Sequence, residues 1–192
     1  MDTLRALLIQ RAARLQERPA LACPGWGPLS YAGFRNRVEG VALGLMAQAP
    51  PLGAGFHSSQ GGPWDWVCEV AAACCGLQWD PAGPRIDPAI LGGASFNHEE
   101  GRQPYHDRDH DLTPATPFQG ALDHGTLLSR LRRLNGRLGW DHATEVTVPM
   151  DQLASQAVRA ALWSALFGGS SAILKAGRVK DWDPEPFRQI FL

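Results

Sequence analysis

The residues best suited to chemistry are concentrated between Asn97 and Asp111, where His106 and His110 stand four apart among acidic side chains. Two histidines at this spacing ligate one metal ion only if a helix brings them to the same face. The segment has no apolar stripe at helical spacing, so the sequence predicts a solvated loop and no metal site. His124 lacks a partner nucleophile, since neither G-x-S-x-G nor H-E-x-x-H occurs in the chain.

The four cysteines offer a second possible chemistry. Cys74 and Cys75 are adjacent, Cys23 and Cys68 are isolated, and no C-x-x-C pair is present. This pattern is typical of small buried apolar side chains in a reducing compartment, and it favours neither a disulfide framework nor a zinc site.

Length and composition limit what kind of protein positions these residues. The chain has 192 residues, 44% apolar and 19% charged, with a formal net charge of −1, which predicts a single compact unit over residues 1–192. The densest basic group, Arg130, Arg132 and Arg133, lies on a predicted helix and favours a solvated face. With basic residues otherwise thinly spread, we expect no nucleic-acid partner. No apolar run is long enough for a membrane span, so we expect no membrane association and a cytoplasmic protein.

The elements alternate between helices and short strands. A hairpin is predicted around residues 24–28, helices are predicted at residues 30–45 and 152–167, and buried strands at 145–148 and 171–174. Between about residues 82 and 113 the periodicity fails, which predicts a long loop. The expected fold class is α/β, a mostly parallel sheet flanked by helices.

Several short motifs follow one another in an order known from one enzyme superfamily. Residues 19–21 read P-A-L, residues 29–34 read L-S-Y-A-G-F, residues 76–81 read G-L-Q-W-D-P and residues 117–124 read P-F-Q-G-A-L-D-H. Residues 146–174 add a strand, a small-residue helix, two glycines and another strand. In this order they resemble the N-terminal part of the AMP-forming acyl- and aryl-CoA ligases, the adenylate-forming superfamily. The resemblance spans nearly the whole chain and implies that superfamily's N-terminal α/β subdomain.

The resemblance also locates a phosphate loop, and the sequence departs from it there. The superfamily carries T-S-G-[ST]-T-G-x-P-K-G, whose backbone N–H groups and lysine hold the phosphates of ATP. Residues 111–120 read D-L-T-P-A-T-P-F-Q-G, with Phe118 at the lysine position and prolines that remove donors. The resemblance therefore leaves only Thr113, Thr116 and Gly120 as remnants of a phosphate loop.

Two further departures concern the acyl pocket and the length. Gln152 stands where the superfamily's P-L-F-H motif has its histidine, and is kept as a remnant of the acyl or nucleotide pocket. The superfamily's adenine-binding, ribose-binding and mobile C-terminal segments would follow Leu192. The resemblance thus implies no intact catalytic residue.

These departures favour one function and leave another open. We expect a truncated, catalytically inactive relative of the carboxylate-CoA ligases that acts as a binding or partner subunit in acyl metabolism, as a homodimer or with a protein partner, and without a cofactor. The alternative is residual ATP-dependent carboxylate activation, with ATP and Mg²⁺, as the leading part of a longer or split ligase.

Overall fold

The computed structural model describes residues 2–58, 60–91 and 97–192, which form two compact units. The first unit comprises residues 1–6 and 36–126, and the second comprises residues 7–35 and 127–192. The expected α/β class, with parallel strands and flanking helices, is confirmed. The single-unit organisation stays a prediction.

The second unit is built on a four-stranded sheet of order β2-β1-β8-β7. Its strands are β1 (Pro19–Cys23), β2 (Gly27–Ser30), β7 (Glu145–Pro149) and β8 (Ser171–Lys175). The strands β1 and β2 form the predicted antiparallel hairpin, in which Gly25 and Gly27 supply positive φ angles of 84° and 66°. The other two pairs, β1 with β8 and β7 with β8, are parallel.

Helix α6 (Gln156–Gly168) links β7 to β8, and its sequence specifies it well. The Ser155 hydroxyl accepts a hydrogen bond from the Val158 N–H at 3.3 Å and so caps the first turn. Gly169 ends the helix in the left-handed conformation, at φ 81°. All nine residues from Val158 to Leu166 are buried, including the polar Arg159 and Ser164, so the helix is enclosed on nearly every side.

The boundaries between the two units fall within three further helices, α1 (Leu4–Leu15), α2 (Tyr31–Ala47) and α5 (His124–Leu138). Their apolar residues recur at helical spacing, and Leu127, Leu131 and Leu134 of α5 are buried. None of the helices in the described residues is long and apolar enough to cross a membrane.

The first unit contains a second β-α-β connection and a hairpin. Helix α3 (Pro63–Cys74) joins the short parallel strands β3 (Gly55–Phe56) and β4 (Gln78–Trp79). The strands β5 (Pro117–Gln119) and β6 (Leu122–Asp123) form an antiparallel hairpin. The four cysteines are buried and form no disulfide among the described residues, and burial raises the pKa of the Cys68 and Cys75 thiols to about 12.

The prediction of a long loop over residues 82–113 was wrong in its second half, where helix α4 (His98–Asp111) forms. Residues 92–96 of that prediction lie outside the described part. Asn97 caps α4 by accepting the Glu99 N–H at 2.9 Å, but only Gly101 and Tyr105 of its 14 residues are buried. Two buried positions one turn apart make too narrow a stripe to register as helical periodicity.

Tertiary contacts within the first unit stabilise α4. A Cβ on Gly101 would come within 2.1 Å of the Leu43 carbonyl oxygen of α2, so glycine permits this close packing. Arg5 donates a hydrogen bond to the Tyr105 carbonyl at 2.7 Å, stacks 3.9 Å over the Tyr105 ring and approaches Asp109 at 3.4 Å. An arginine far away in sequence therefore fixes a helix that its own sequence specifies weakly.

Candidate functional site

The segment that resembles a phosphate loop folds as a tight turn followed by the β5–β6 hairpin. The Thr116 Oγ1 accepts the Thr113 N–H at 2.9 Å, and the Thr116 N–H donates to the Thr113 carbonyl at 3.0 Å. The Thr116 carbonyl in turn accepts the His124 N–H at 3.0 Å. Both the hydroxyl and the amide of Thr116 are therefore used inside the turn, and its side chain is buried.

The predicted remnants of the phosphate loop end up in different surroundings. Thr113 is exposed and begins the turn, whereas the side chain of Thr116 is buried. Gly120 is exposed at the β5–β6 turn with φ 56°, a conformation that a side chain would strain. Thr113 and Thr116 are thus hydrogen-bonded to each other, and Gly120 serves the hairpin.

Phe118, which the resemblance matches to the superfamily's lysine, is buried in the first unit and is 1% exposed. No lysine or arginine occurs from Asp111 to Gly125. The one basic side chain there, His124, is fully buried, and burial lowers its pKa to about 4. The segment therefore carries no positive charge at neutral pH.

The buried His124 ring forms a hydrogen bond with the protein backbone. Its Nδ1 accepts the Leu4 N–H at 3.4 Å, and so ties α5 to the first turn of α1 within the first unit. Its Nε2 is buried without a hydrogen-bond partner in the described part of the chain. Beside it, the Asp123 carboxylate accepts the Thr126 N–H at 2.7 Å and caps α5, which lowers the pKa of Asp123.

Gln152 belongs to the second unit and is exposed. It ends a 3₁₀ turn (Met150–Gln152), and its carbonyl accepts the Ser155 N–H at 2.8 Å just before α6. The predicted pocket role of Gln152 stays a prediction.

A metal centre would need ligands that converge. Contrary to the loop prediction, His106 and His110 lie one turn apart on α4, and both are exposed. Within the described ranges, no group of three or more histidine, cysteine, aspartate or glutamate side chains has the arrangement of a metal site.

The second unit contains an aromatic cleft that was not predicted from the sequence. It has a volume of about 490 Å³ beside β7 and the C-terminal segment. Trp182 stacks on Phe187 with ring centroids 5.5 Å apart and planes 5° apart, and Trp140 lies 5.5 Å from the same ring. Two lysines and three carboxylates on its walls leave it close to neutral. The tryptophan of the W-D-P-E-P-F run at residues 182–187 was the available signal.

Solved structures that share this fold include an adenylation-PCP di-domain in which NpsA is fused to ThdA. The N-terminal subdomain of NpsA from Klebsiella oxytoca, in complex with anthranilyl-AMSN, matches 94% of this chain with a TM-score of 0.69 and 12% identity. VinN in complex with L-aspartate matches 91% at 0.66 and 13%, and the AMPPNP-bound nonribosomal peptide synthetase FmoA3 matches 98% at 0.65 and 12%.

The similarity is one of fold and of part of each structure. This chain spans 55% of the NpsA subdomain, 57% of VinN and 24% of FmoA3. No protein-family model matches the sequence, and no curated protein is significantly similar to it. The expected resemblance to the N-terminal subdomain of adenylate-forming enzymes is confirmed at the level of the fold.

Proposed function

We propose that this chain, built on the fold of an adenylation subdomain, does not form acyl-adenylates and acts as a binding or partner subunit in acyl metabolism. The observation that carries the proposal is the absence of positive charge from Asp111 to Gly125 together with the burial of Phe118. A loop that holds ATP has to offset the charge of the phosphates with cations and inward-pointing N–H groups.

The hydrogen bonds of the turn support the same proposal. A phosphate oxygen needs free donors, yet the amides of Thr113, Thr116, His124 and Gly125 all donate to acceptors within the turn or its flanks. To offer those amides to a phosphate, the turn would have to open and the buried Thr116 side chain would have to leave the core. Asp111 and Asp123 would further repel a polyphosphate.

The proposed lack of catalysis is tested by carboxylate-dependent exchange of pyrophosphate into ATP, a direct measure of acyl-adenylate formation. The full chain, with Mg²⁺ and a panel of aryl, fatty and amino acids, is expected to give no exchange above a blank without protein. An authentic adenylation domain serves as the positive control. Exchange that depends on both the protein and one carboxylate would overturn the proposal.

The partner role is tested by affinity purification of the tagged chain from its native host with quantitative mass spectrometry. A carrier protein or an enzyme of acyl-CoA metabolism is expected to be enriched over an unrelated tagged control, and to bind again when both proteins are purified. If no protein of these classes binds directly, the partner role is wrong.

A second candidate is residual carboxylate activation as the leading part of a longer or split ligase. The observation in its favour is that the chain spans 24–57% of the adenylation structures that it resembles. Repeating the exchange assay with any copurified partner separates the two candidates. Activity that appears only in the complex, with ATP and Mg²⁺, would select the split ligase.

A further inference from the structure

The second unit contains a cleft of about 680 Å³ between α5 and the C-terminal segment. Arg130, Arg133 and Arg137 line it from the helix, and Glu185, Gln189 and Ile190 line it from the segment. We refer to this space as the arginine cleft. Its volume is that of an ordinary small-molecule site and is far larger than a bare phosphate needs.

The helical spacing explains why these three arginines share one cleft. Residues 130, 133 and 137 follow each other at i, i+3 and i+7, which places them on one face of an α-helix. Arg132 is exposed on the same helix but does not line the cleft. At about 100° per residue, it is turned well away from Arg130. The chain therefore contains a matched arginine outside the cleft.

The arginines of the cleft are not neutralised by carboxylates. Arg130 donates to the Ile190 carbonyl at 2.9 Å, which uses part of its guanidinium to fasten the C-terminal segment. Arg133 and Arg137 have neither an ion pair nor a hydrogen bond to the residues that the structure describes. Glu185, the acidic residue of the cleft, already pairs with Arg188 at 2.8 Å.

This arrangement has an energetic cost that an anion would remove. Like charges at i, i+4, as in Arg133 and Arg137, destabilise a helix, and neither arginine forms an ion pair with a described residue. The helix dipole accounts for Arg137, which lies in the last turn of α5. It does not account for Arg130 or Arg133, which lie further from the C-terminal end.

We infer that the arginine cleft binds a small molecule that carries a phosphate or diphosphate group. Guanidinium groups present paired N–H donors that match phosphate oxygens, and those of Arg133 and Arg137 have no partner in the part of the chain that the structure describes. The buried side chains of Leu134 and Ile190 supply an apolar wall for the organic portion. The inference goes beyond the proposed function and does not depend on it.

The test is calorimetric titration of the full chain with inorganic pyrophosphate, with a nucleoside diphosphate and a sugar phosphate as organic arms and citrate as a phosphate-free anion. Saturable binding of at least one phosphate, tighter than that of citrate, is expected. Organic phosphates that bind more tightly than pyrophosphate would identify a metabolite site, and the reverse would identify an inorganic anion site. No saturable phosphate binding, or equal binding of citrate, would overturn the inference.

Variants locate the binding. Arg133→Gln and Arg137→Gln should each weaken the affinity about tenfold, the effect of losing one charge-assisted hydrogen bond. Arg132→Gln removes the same charge from the same helix. It should change the affinity less than about twofold, because salt screens the attraction between this distant charge and the ligand. Equal weakening of the affinity by all three variants would mean that the helix attracts anions without a specific site. It would overturn the assignment of the arginine cleft as the binding site.

Binding here is distinguishable from adenylation. ATP bound in the arginine cleft would give heat that disappears in the Arg133→Gln, Arg137→Gln double variant, without any carboxylate-dependent exchange. Exchange that persists in the double variant would instead contradict the proposed function and leave the cleft to be decided by the titrations.

Discussion

Two polar regions of this protein differ in where their hydrogen-bonding groups are directed. In the turn at residues 113–124, the Thr116 hydroxyl and the His124 ring are buried, and both hydrogen-bond to backbone amides of the protein itself. On the cleft side of α5, Arg133 and Arg137 are exposed and unpaired in the described residues.

The difference teaches where a ligand can bind. Polar groups that are hydrogen-bonded inside the fold stabilise the fold. Unpaired charged groups at a cleft can instead form hydrogen bonds and ion pairs with a ligand. Substitutions in the turn should therefore change the stability, and substitutions in the cleft should change binding.

The largest effect is expected for Phe118→Lys, which places a lysine where the resemblance to the superfamily expects one. It removes a buried ring and places a charge in an apolar site, so the free energy of unfolding should fall by about 4 kcal/mol. Phe118→Leu, which keeps the site apolar, should cost about 1 kcal/mol. Denaturant unfolding measures both.

If Phe118→Lys were as stable as Phe118→Leu and gained ATP binding, the turn would be a phosphate loop that a single residue disables. The contrast between a structural turn and a binding cleft would then be wrong.

His124→Gln should change the pH dependence of stability. The buried ring has a pKa of about 4 against an unfolded value of 6.5, so below pH 6.5 the unfolded state binds the proton more readily. Wild-type stability should therefore fall as the pH drops from about 6.5 to 4, by about 3 kcal/mol.

The variant lacks this titration, so the difference in unfolding free energy between wild type and variant should shift over that window, while carboxylate titrations cancel. An unchanged difference between pH 7 and pH 4 would show that His124 is protonated as easily in the folded state.

Thr116→Val should cost about 1–2 kcal/mol, because it keeps the shape but leaves the Thr113 N–H without its acceptor. Thr116→Ser keeps the oxygen. Hydrogen exchange of the Thr113 amide should accelerate in the valine variant and stay close to wild type in the serine variant. Equal exchange in both variants would mean that the Thr116 hydroxyl does not protect this amide.

The smallest effects on stability are expected in the cleft. Arg133→Gln and Arg137→Gln should each lie within about 0.5 kcal/mol of wild type, on the stabilising side, because they relieve a like-charge pair. Arg130→Gln should destabilise by about 1 kcal/mol, since it removes the donor to Ile190. Losses above 1 kcal/mol for Arg133 or Arg137 would assign them a structural role.

The sequence was sufficient where one element contains its own signals. Helix α6 has a serine cap, a glycine stop and a largely apolar body, and the strands on either side of it are short and carry buried apolar residues. The hairpin at the N-terminus has its glycines at the turn. For these elements local propensity and burial agree, and the order of motifs along the chain led to the adenylation-subdomain fold.

The site was less predictable. The sequence indicated that residues 111–120 keep a single glycine, Gly120, and have no lysine, but it did not show that Thr116 and Phe118 are buried. It interpreted the arginines of α5 as a solvated face. Whether a charged face is solvated or lines a cleft depends on the C-terminal segment that packs beside it, some 50 residues later in the chain.

The chain by itself determined the α/β class, the β-α-β connection through α6 and the absence of lysine and arginine from Asp111 to Gly125, because these follow from local periodicity and residue type. Only the tertiary structure decided helix α4 and the arginine cleft. Both depend on contacts between residues distant in sequence, Arg5 with Tyr105 in one case and Arg130 with Ile190 in the other. Local periodicity cannot reveal such pairs, because the two residues of each pair interact only once the chain has folded.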